Sequence, residues 1–154
     1  MIKPYNSNDM AKQFSVTNPL KQGDNIVYTV YGRSPFNNEK FQIERRFQHF
    51  YALRSCFVER LPGLYIPPLP NKKIIGSTKD DFVAERCYLL DKFVKNVTRC
   101  PYLFESEEFR VFLHPEQELD KQLEYLQPNK QIPPGRILKR YKNFFELKGY
   151  FGER

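Results

Sequence analysis

Long apolar runs are missing from this chain of 154 residues: none approaches the roughly 20 that carry a helix across a bilayer. The opening stretch, Met1 to Asn8, has no apolar signal-peptide core. Cysteines number three (Cys56, Cys87 and Cys100), an odd count without metal-like or redox spacing. That argues against a disulfide framework and suits a reducing compartment. Cys56 and Cys87 fall in apolar-patterned stretches and read as small buried residues. Histidine is confined to His49 and His114, which excludes a histidine-rich metal site. No Gly-rich phosphate loop, zinc signature or nucleophile with an evident histidine partner is present, so neither catalysis nor a cofactor is expected. The adjacent carboxylates Asp80 and Asp81 stand at a helix start, where the helix dipole explains them. A soluble intracellular protein without enzymatic activity is expected.

What is present is aromatic and basic. An apolar fraction of 40%, with 14 Phe and 10 Tyr, can build the core of one domain and leave residues over. A net charge of +7 and a pI near 9.3 ask for an anionic partner, either nucleic acid or an acidic membrane surface. No stretch shows the Lys/Arg helix face that enters a groove, and none matches the RNP pattern of a base-stacking sheet. Positive charge gathers instead at Arg45-Arg46, Lys72-Lys73 and Arg136 to Lys142. Such local foci suit a phosphate head group better than a long backbone track, and no nucleic-acid partner is expected.

Patterning predicts a sheet and then helices. Phe14 to Thr17 alternates briefly as a first strand, and Gly23-Asp24-Asn25 turns the chain into the β-branched and aromatic run Ile26 to Tyr31. After a turn over Gly32 to Asn38, Phe41, Ile43 and Arg45 alternate with Gln42, Glu44 and Arg46 in a third strand. Phe47, Phe50, Leu53 and Phe57 then recur at helical steps, predicting a helix over 47–60 that ends at Leu61-Pro62-Gly63. Leu64 to Pro70 reads as an extended polyproline-like segment. Thr78 with Asp81 resembles a capping box, opening a helix whose stripe runs from Phe82 to Val97 and which reaches about Arg99. Ser106 caps a short helix through Phe109, Phe112 and Leu113, stopped by Pro115. The expected class is α+β: a three-stranded antiparallel β-sheet followed by a helical layer with a proline-rich segment.

Two stretches carry chemistry, Arg45-Arg46-Phe47-Gln48-His49-Phe50 at the strand–helix joint and Pro67-Pro68-Leu69-Pro70-Asn71-Lys72-Lys73 beyond it. A guanidinium fork matches phosphate oxygens through paired charge-assisted hydrogen bonds. An aromatic face can cover the flat side of a sugar or inositol ring, and lysine adds a mobile point charge. Together these parts suit a phosphorylated, ring-shaped anion. The bland alternative is a solvated strand edge followed by an ordinary loop, with Phe47 as the first core residue of its helix.

The order of elements, together with Arg45-Arg46-Phe47 and Phe50, Pro67-Pro68-Leu69-Pro70 before Lys72, and Arg86 within Phe82-Val83-Ala84-Glu85-Arg86, resembles the PX (phox homology) domain over residues 12–114. The particular likeness is to sorting nexins. The resemblance implies that Arg46 grips the 3-phosphate of phosphatidylinositol 3-phosphate, that Phe47 lies under the inositol ring and that Lys72 meets the 1-phosphate. Arg86 would bond the ring hydroxyls at positions 4 and 5 and crowd out phosphates there. Phe47 stands where the family more often has Tyr, and Asn71 where Gly is frequent. Arg45 and Lys73 are additional lipid-binding candidates, although alternation turns Arg45 to the other side of the strand, where a structural role is the alternative. Ile74 and Ile75 are the expected membrane-insertion tip, while Leu64, Ile66 and Leu69 have helices to cover. The implied setting is peripheral, on early endosome membranes, in membrane trafficking and protein transport, with other sorting nexins or retromer-like proteins as partners.

Residues 1–11 are expected to form an N-terminal extension, and 115–154 a tail outside the domain's core. Leu119, Leu123 and Leu126 make a modest helical stripe there. Arg136 to Lys148 sets Ile137, Leu138, Tyr141, Phe144 and Phe145 among basic residues, as in a helix lying on an acidic membrane. In PX-BAR sorting nexins a comparable segment links two domains; packing on its own domain or on a partner chain is the alternative. The competing function is a protein-interaction module whose proline-rich segment binds an SH3-like partner.

Overall fold

Period-two patterning and tight turns build the sheet. The computed structural model describes residues 9, 11, 13–72, 79–126 and 139. Strands β1 (Ser15–Gln22), β2 (Asn25–Arg33) and β3 (Lys40–Arg46) pair antiparallel in the order β1-β2-β3. Gly23 takes φ +60°, the left-handed turn that glycine adopts without a Cβ penalty. β1 runs beyond the expected Thr17, because its alternation is broken by a bulge and not by an end. Thr17 faces Thr29 while Leu20 faces Val27, so Asn18 (φ +52°) and Pro19 stand against Tyr28 alone, one residue of extra length, and Pro19 has no N–H to leave unpaired. β2 extends through Gly32, which sequence patterning assigns to the turn. A Cβ at Gly32 would lie 3.0 Å from the Gln13 carbonyl oxygen and from the Phe14 ring, so glycine lets the incoming chain close on the sheet.

Helices α1 (Phe47–Arg60), α2 (Lys79–Arg99), α3 (Pro101–Phe104), α4 (Glu107–Leu113) and α5 (Leu119–Leu126) follow. α1 begins on the residue after β3, so Arg46 is both the last strand residue and the N-cap. Thr78, the expected cap of α2, lies outside the described residues. The single turn of α3 is not foreshadowed by periodicity; Pro101 at its start presets φ and needs no acceptor. At α4 the Ser106 hydroxyl accepts the Phe109 N–H at 3.2 Å, as the sequence predicts.

The apolar face of the sheet, Val16, Tyr28 and Val30, meets Phe50, Leu53 and Phe57 of α1 and Leu90, Phe93, Val94 and Val97 of α2. Phe14, Phe104, Phe109 and Phe112 fill the remainder with tilted and edge-on ring contacts such as Phe14–Phe104 and Phe50–Phe112. The stripe on α5 lies outside the main core and packs on the helical layer. Leu119, Leu123 and Leu126 bury against Cys56 and Val111, closing a second, smaller cluster on α1 and α4. Their three- and four-residue spacing puts all three on one helix face.

Candidate functional site

The strand–helix joint sets two arginines to opposite duties. On one side Arg45 folds toward α4: its Nε and Nη2 donate to the Phe112 carbonyl at 2.9 and 2.7 Å, and Nη1 to the Glu44 carbonyl at 2.7 Å. Burial draws this guanidinium down to about 10. Arg46, one step on, is exposed, and no hydrogen bond or ion pair engages its guanidinium among the described residues. Its backbone N–H donates to His49 Nδ1 at 3.0 Å, closing the first turn of α1. That acceptor role assigns the ring proton to Nε2, which faces Asp120 Oδ1 of α5 at 3.1 Å. Burial holds His49 below the ordinary imidazole range; Asp120 opposes this, and Arg45 and Arg46 reinforce it.

Phe47 and Arg86 meet directly. The Arg86 guanidinium carbon lies 3.8 Å from the Phe47 ring centre and 4.2 Å from that of Phe82. Nη2 donates to the carbonyls of Asn71 (3.3 Å) and Lys72 (3.0 Å), so a residue of α2 clamps the end of the proline-rich segment. Nε is buried without an acceptor among the described residues. Burial lowers the pKa of Arg86 and the Tyr28 hydroxyl beneath it opposes the shift, while burial raises that of Tyr28.

Prolines have no N–H, so the segment from Leu64 to Pro70 is held by its carbonyls. Arg54 Nε donates to the Pro67 carbonyl at 2.8 Å and the Tyr102 hydroxyl to that of Tyr65 at 2.7 Å. Pro67 is buried, and Leu64, Ile66 and Leu69 pack on the core, covering the helix layer. Lys72 emerges at the end of the segment with its ammonium 3.7 Å above the ring of Tyr51. The fold thus brings Phe47, Lys72 and Arg86 together beside the exposed Arg46 and turns Arg45 away. Tyr51 is the residue that sequence reasoning missed; its signal is its place one helical turn after Phe47. Lys73, Ile74 and Ile75 lie outside the described residues, as does the predicted helix over 136–148 except Lys139. Among the described residues no cluster of His, Cys, Asp or Glu could hold a metal ion, and no helix is long and apolar enough to cross a membrane.

An exposed fork without a partner among the described residues, a second guanidinium held against two rings and an ammonium on the Tyr51 ring make a cationic ledge on an aromatic floor. The chemistry of such a surface suits a multiply charged phosphate on a flat ring, through charge-assisted hydrogen bonds. Residues 33–116 match the family model for the PX domain. Sorting nexin-7 of Mus musculus is 35% identical over 96 residues, covering 60% of this chain and 25% of that protein. Sorting nexin-30 of Homo sapiens is 39% identical over 91 residues, covering 56% and 21%. The chain therefore spans about a quarter or less of these relatives' length. A designed CISK-PX domain superposes with TM-score 0.57 at 26% identity, covering 66% of this chain and 97% of that one. The SNX-BAR Mvp1 tetramer shares the fold at TM-score 0.63 and 19% identity, covering 90% of this chain and 42% of that chain.

Proposed function

Because the chain belongs to the PX domain family and is closely related to sorting nexins, we propose that it docks on membranes by recognising phosphatidylinositol 3-phosphate. Membership gives it a non-catalytic, phosphoinositide-binding and membrane-targeting role; the choice of lipid is our reading. The observation that carries it is the exposed Arg46, whose guanidinium has no partner among the described residues, adjoining the Phe47–Arg86 stack in sequence. Arg46 takes the 3-phosphate, Phe47 supports the inositol ring and Lys72 meets the 1-phosphate. Arg86, fixed by two rings and two carbonyls, meets the hydroxyls at positions 4 and 5. Its confined guanidinium supports selection against phosphates there, since their added bulk would have to displace the clamp.

Residues 12–114 form the lipid-binding domain in this reading, and 115–154 lead toward a further domain of PX-BAR type. Lys73 adds a second ammonium, and Ile74 with Ile75 enters the bilayer interface, on sequence grounds. The relationship to sorting nexins supports, in this reading, a setting on early endosome membranes in protein transport, with other sorting nexins or retromer-like proteins as partners. Recruitment of an SH3-like partner is disfavoured: a polyproline ligand must present its ridge, whereas Pro67 is buried and its carbonyl is engaged by Arg54.

The test is co-sedimentation with liposomes carrying each phosphoinositide in turn. Binding selective for phosphatidylinositol 3-phosphate is expected, with Arg46→Ala losing on the order of 2–3 kcal/mol, the worth of a charge-assisted phosphate contact. Since Arg46 is exposed, its circular dichroism should be that of the wild type. Undiminished affinity in a normally folded Arg46→Ala variant would defeat the assignment, and equal binding to all anionic liposomes would reduce it to nonspecific charge.

A further inference from the structure

Two aromatic faces on α1 stand four residues apart, about 6 Å along the axis. Each carries a cation from another element, Phe47 the Arg86 guanidinium at 3.8 Å and Tyr51 the Lys72 ammonium at 3.7 Å. Phe47 belongs to the site already described; Tyr51 does not. We propose that Tyr51 is a positioning residue that holds the Lys72 ammonium where the 1-phosphate of an inositol lipid meets it. This rests on the head-group reading above.

Tyr51 is 43% exposed, so this large ring is not consumed by the core. Lysine is a point charge on a flexible stem with about 2 kcal/mol of rotamer entropy, and an unsupported ammonium at the end of a loop would be spread over many positions. Here both ends of Lys72 are held: its carbonyl accepts from Arg86 Nη2 at 3.0 Å, and its ammonium lies on the Tyr51 face. The electrostatic attraction of the ring leaves the ammonium its N–H donors on the side away from the ring, available to phosphate oxygens. Arg86 and Lys72 are therefore two rungs of one ladder, joined through the Lys72 carbonyl and spaced by a helical turn.

Lys72 touches the ligand at the 1-phosphate alone, so the gain in affinity from inositol 3-phosphate to inositol 1,3-bisphosphate isolates its contribution. Both ligands are titrated into the full chain and followed by NMR chemical shifts, which read weak affinities. Wild type should prefer the bisphosphate, and Tyr51→Ala should cut that preference by about two- to five-fold, the worth of an exposed cation–π contact. Its affinity for inositol 3-phosphate should stay as in wild type, and Tyr51→Phe, which keeps the ring, should keep the preference. Lys72→Ala should remove the preference, after which adding Tyr51→Ala should change nothing more. Full preference in Tyr51→Ala, or an equal loss for both ligands, overturns the proposal. Failure of the head-group reading looks different: Arg46→Ala would then leave the binding of both ligands unchanged, and the role of Tyr51 would fall with it.

Discussion

Arg45 and Arg46 are separated by one strand step, and the period of two sends their guanidiniums to opposite sides of β3. Arg45 Nε and Nη2 converge on one carbonyl, that of Phe112, and the guanidinium carbon lies 5.5 Å from the centre of the Phe112 ring. Arg45→Ala should therefore lower stability by about 1–3 kcal/mol, because the Phe112 carbonyl loses both donors in a partly buried place. Urea denaturation should show an earlier midpoint, while the folded fraction still binds head group. Arg46→Ala should do the reverse, leaving the midpoint and removing binding. If Arg45→Ala weakened binding at unchanged stability, Arg45 would have to be moved into the site. Alternation was enough to separate the pair in the sequence. The partner of Arg45 was not legible, because Phe112 lies on a helix brought near only by the closed fold. Tyr51 stayed hidden for a related reason: in a helical stripe of aromatics, a ring that seats a lysine looks like any other.

At the scale of elements, local signals and long-range packing divide the result. The three strands, α1, α2 and the Ser106-capped α4 follow from periodicity, turn residues and caps near in sequence. The bulge at Asn18-Pro19, the turn of α3 and the docking of α5 do not, since each answers to neighbours supplied by other elements. α5 shows the difference well. Its three leucines announce an amphipathic helix, but the patch that receives them, Cys56 and Val111, is split between α1 and α4. Leu123 is 1% exposed and its carbonyl accepts from Cys56 Sγ at 3.5 Å. Leu123→Ala should cost about 2–3 kcal/mol, near the low end for a buried leucine because the cluster is small and can relax. The same variant should expose a chemical reporter. Burial pushes the Cys56 thiol up to about 12, so it is inert while α5 is docked. Faster labelling of Cys56 by a thiol reagent, together with an earlier denaturation midpoint, would confirm docking; unchanged labelling would mean that α5 does not guard this face.

Across the whole molecule, the chain's two histidines join elements that are far apart in sequence, and both are kept neutral by the fold. His49 ties the end of β3 to α1 and α5 through Arg46 N–H and Asp120. His114, at the end of α4, shares a 2.8 Å hydrogen bond with the Ser34 hydroxyl and packs against the rings of Phe36 and Phe41. Burial lowers the pKa of each. Asp120 opposes the shift at His49, where Arg45 and Arg46 add to it; Arg45 adds to it at His114, where Glu39 opposes it. Above the ordinary imidazole value of 6.5 neither the folded nor the unfolded chain protonates these rings, and their contribution to stability is complete. As pH falls through that value the unfolded chain takes up protons that the folded chain refuses, so stability drops until the folded pKa values are passed. Protonation of His49 would also turn Nδ1 from an acceptor into a donor against the Arg46 N–H, loosening the joint that presents Arg46. The thermal midpoint should therefore decline between pH 7 and 5 in wild type. The double variant His49→Gln, His114→Gln, whose amides do not titrate, should show a flatter profile over the same interval. Identical slopes would assign the acid sensitivity to carboxylates instead. A flatter slope would assign it to the two imidazoles that burial holds below their ordinary value.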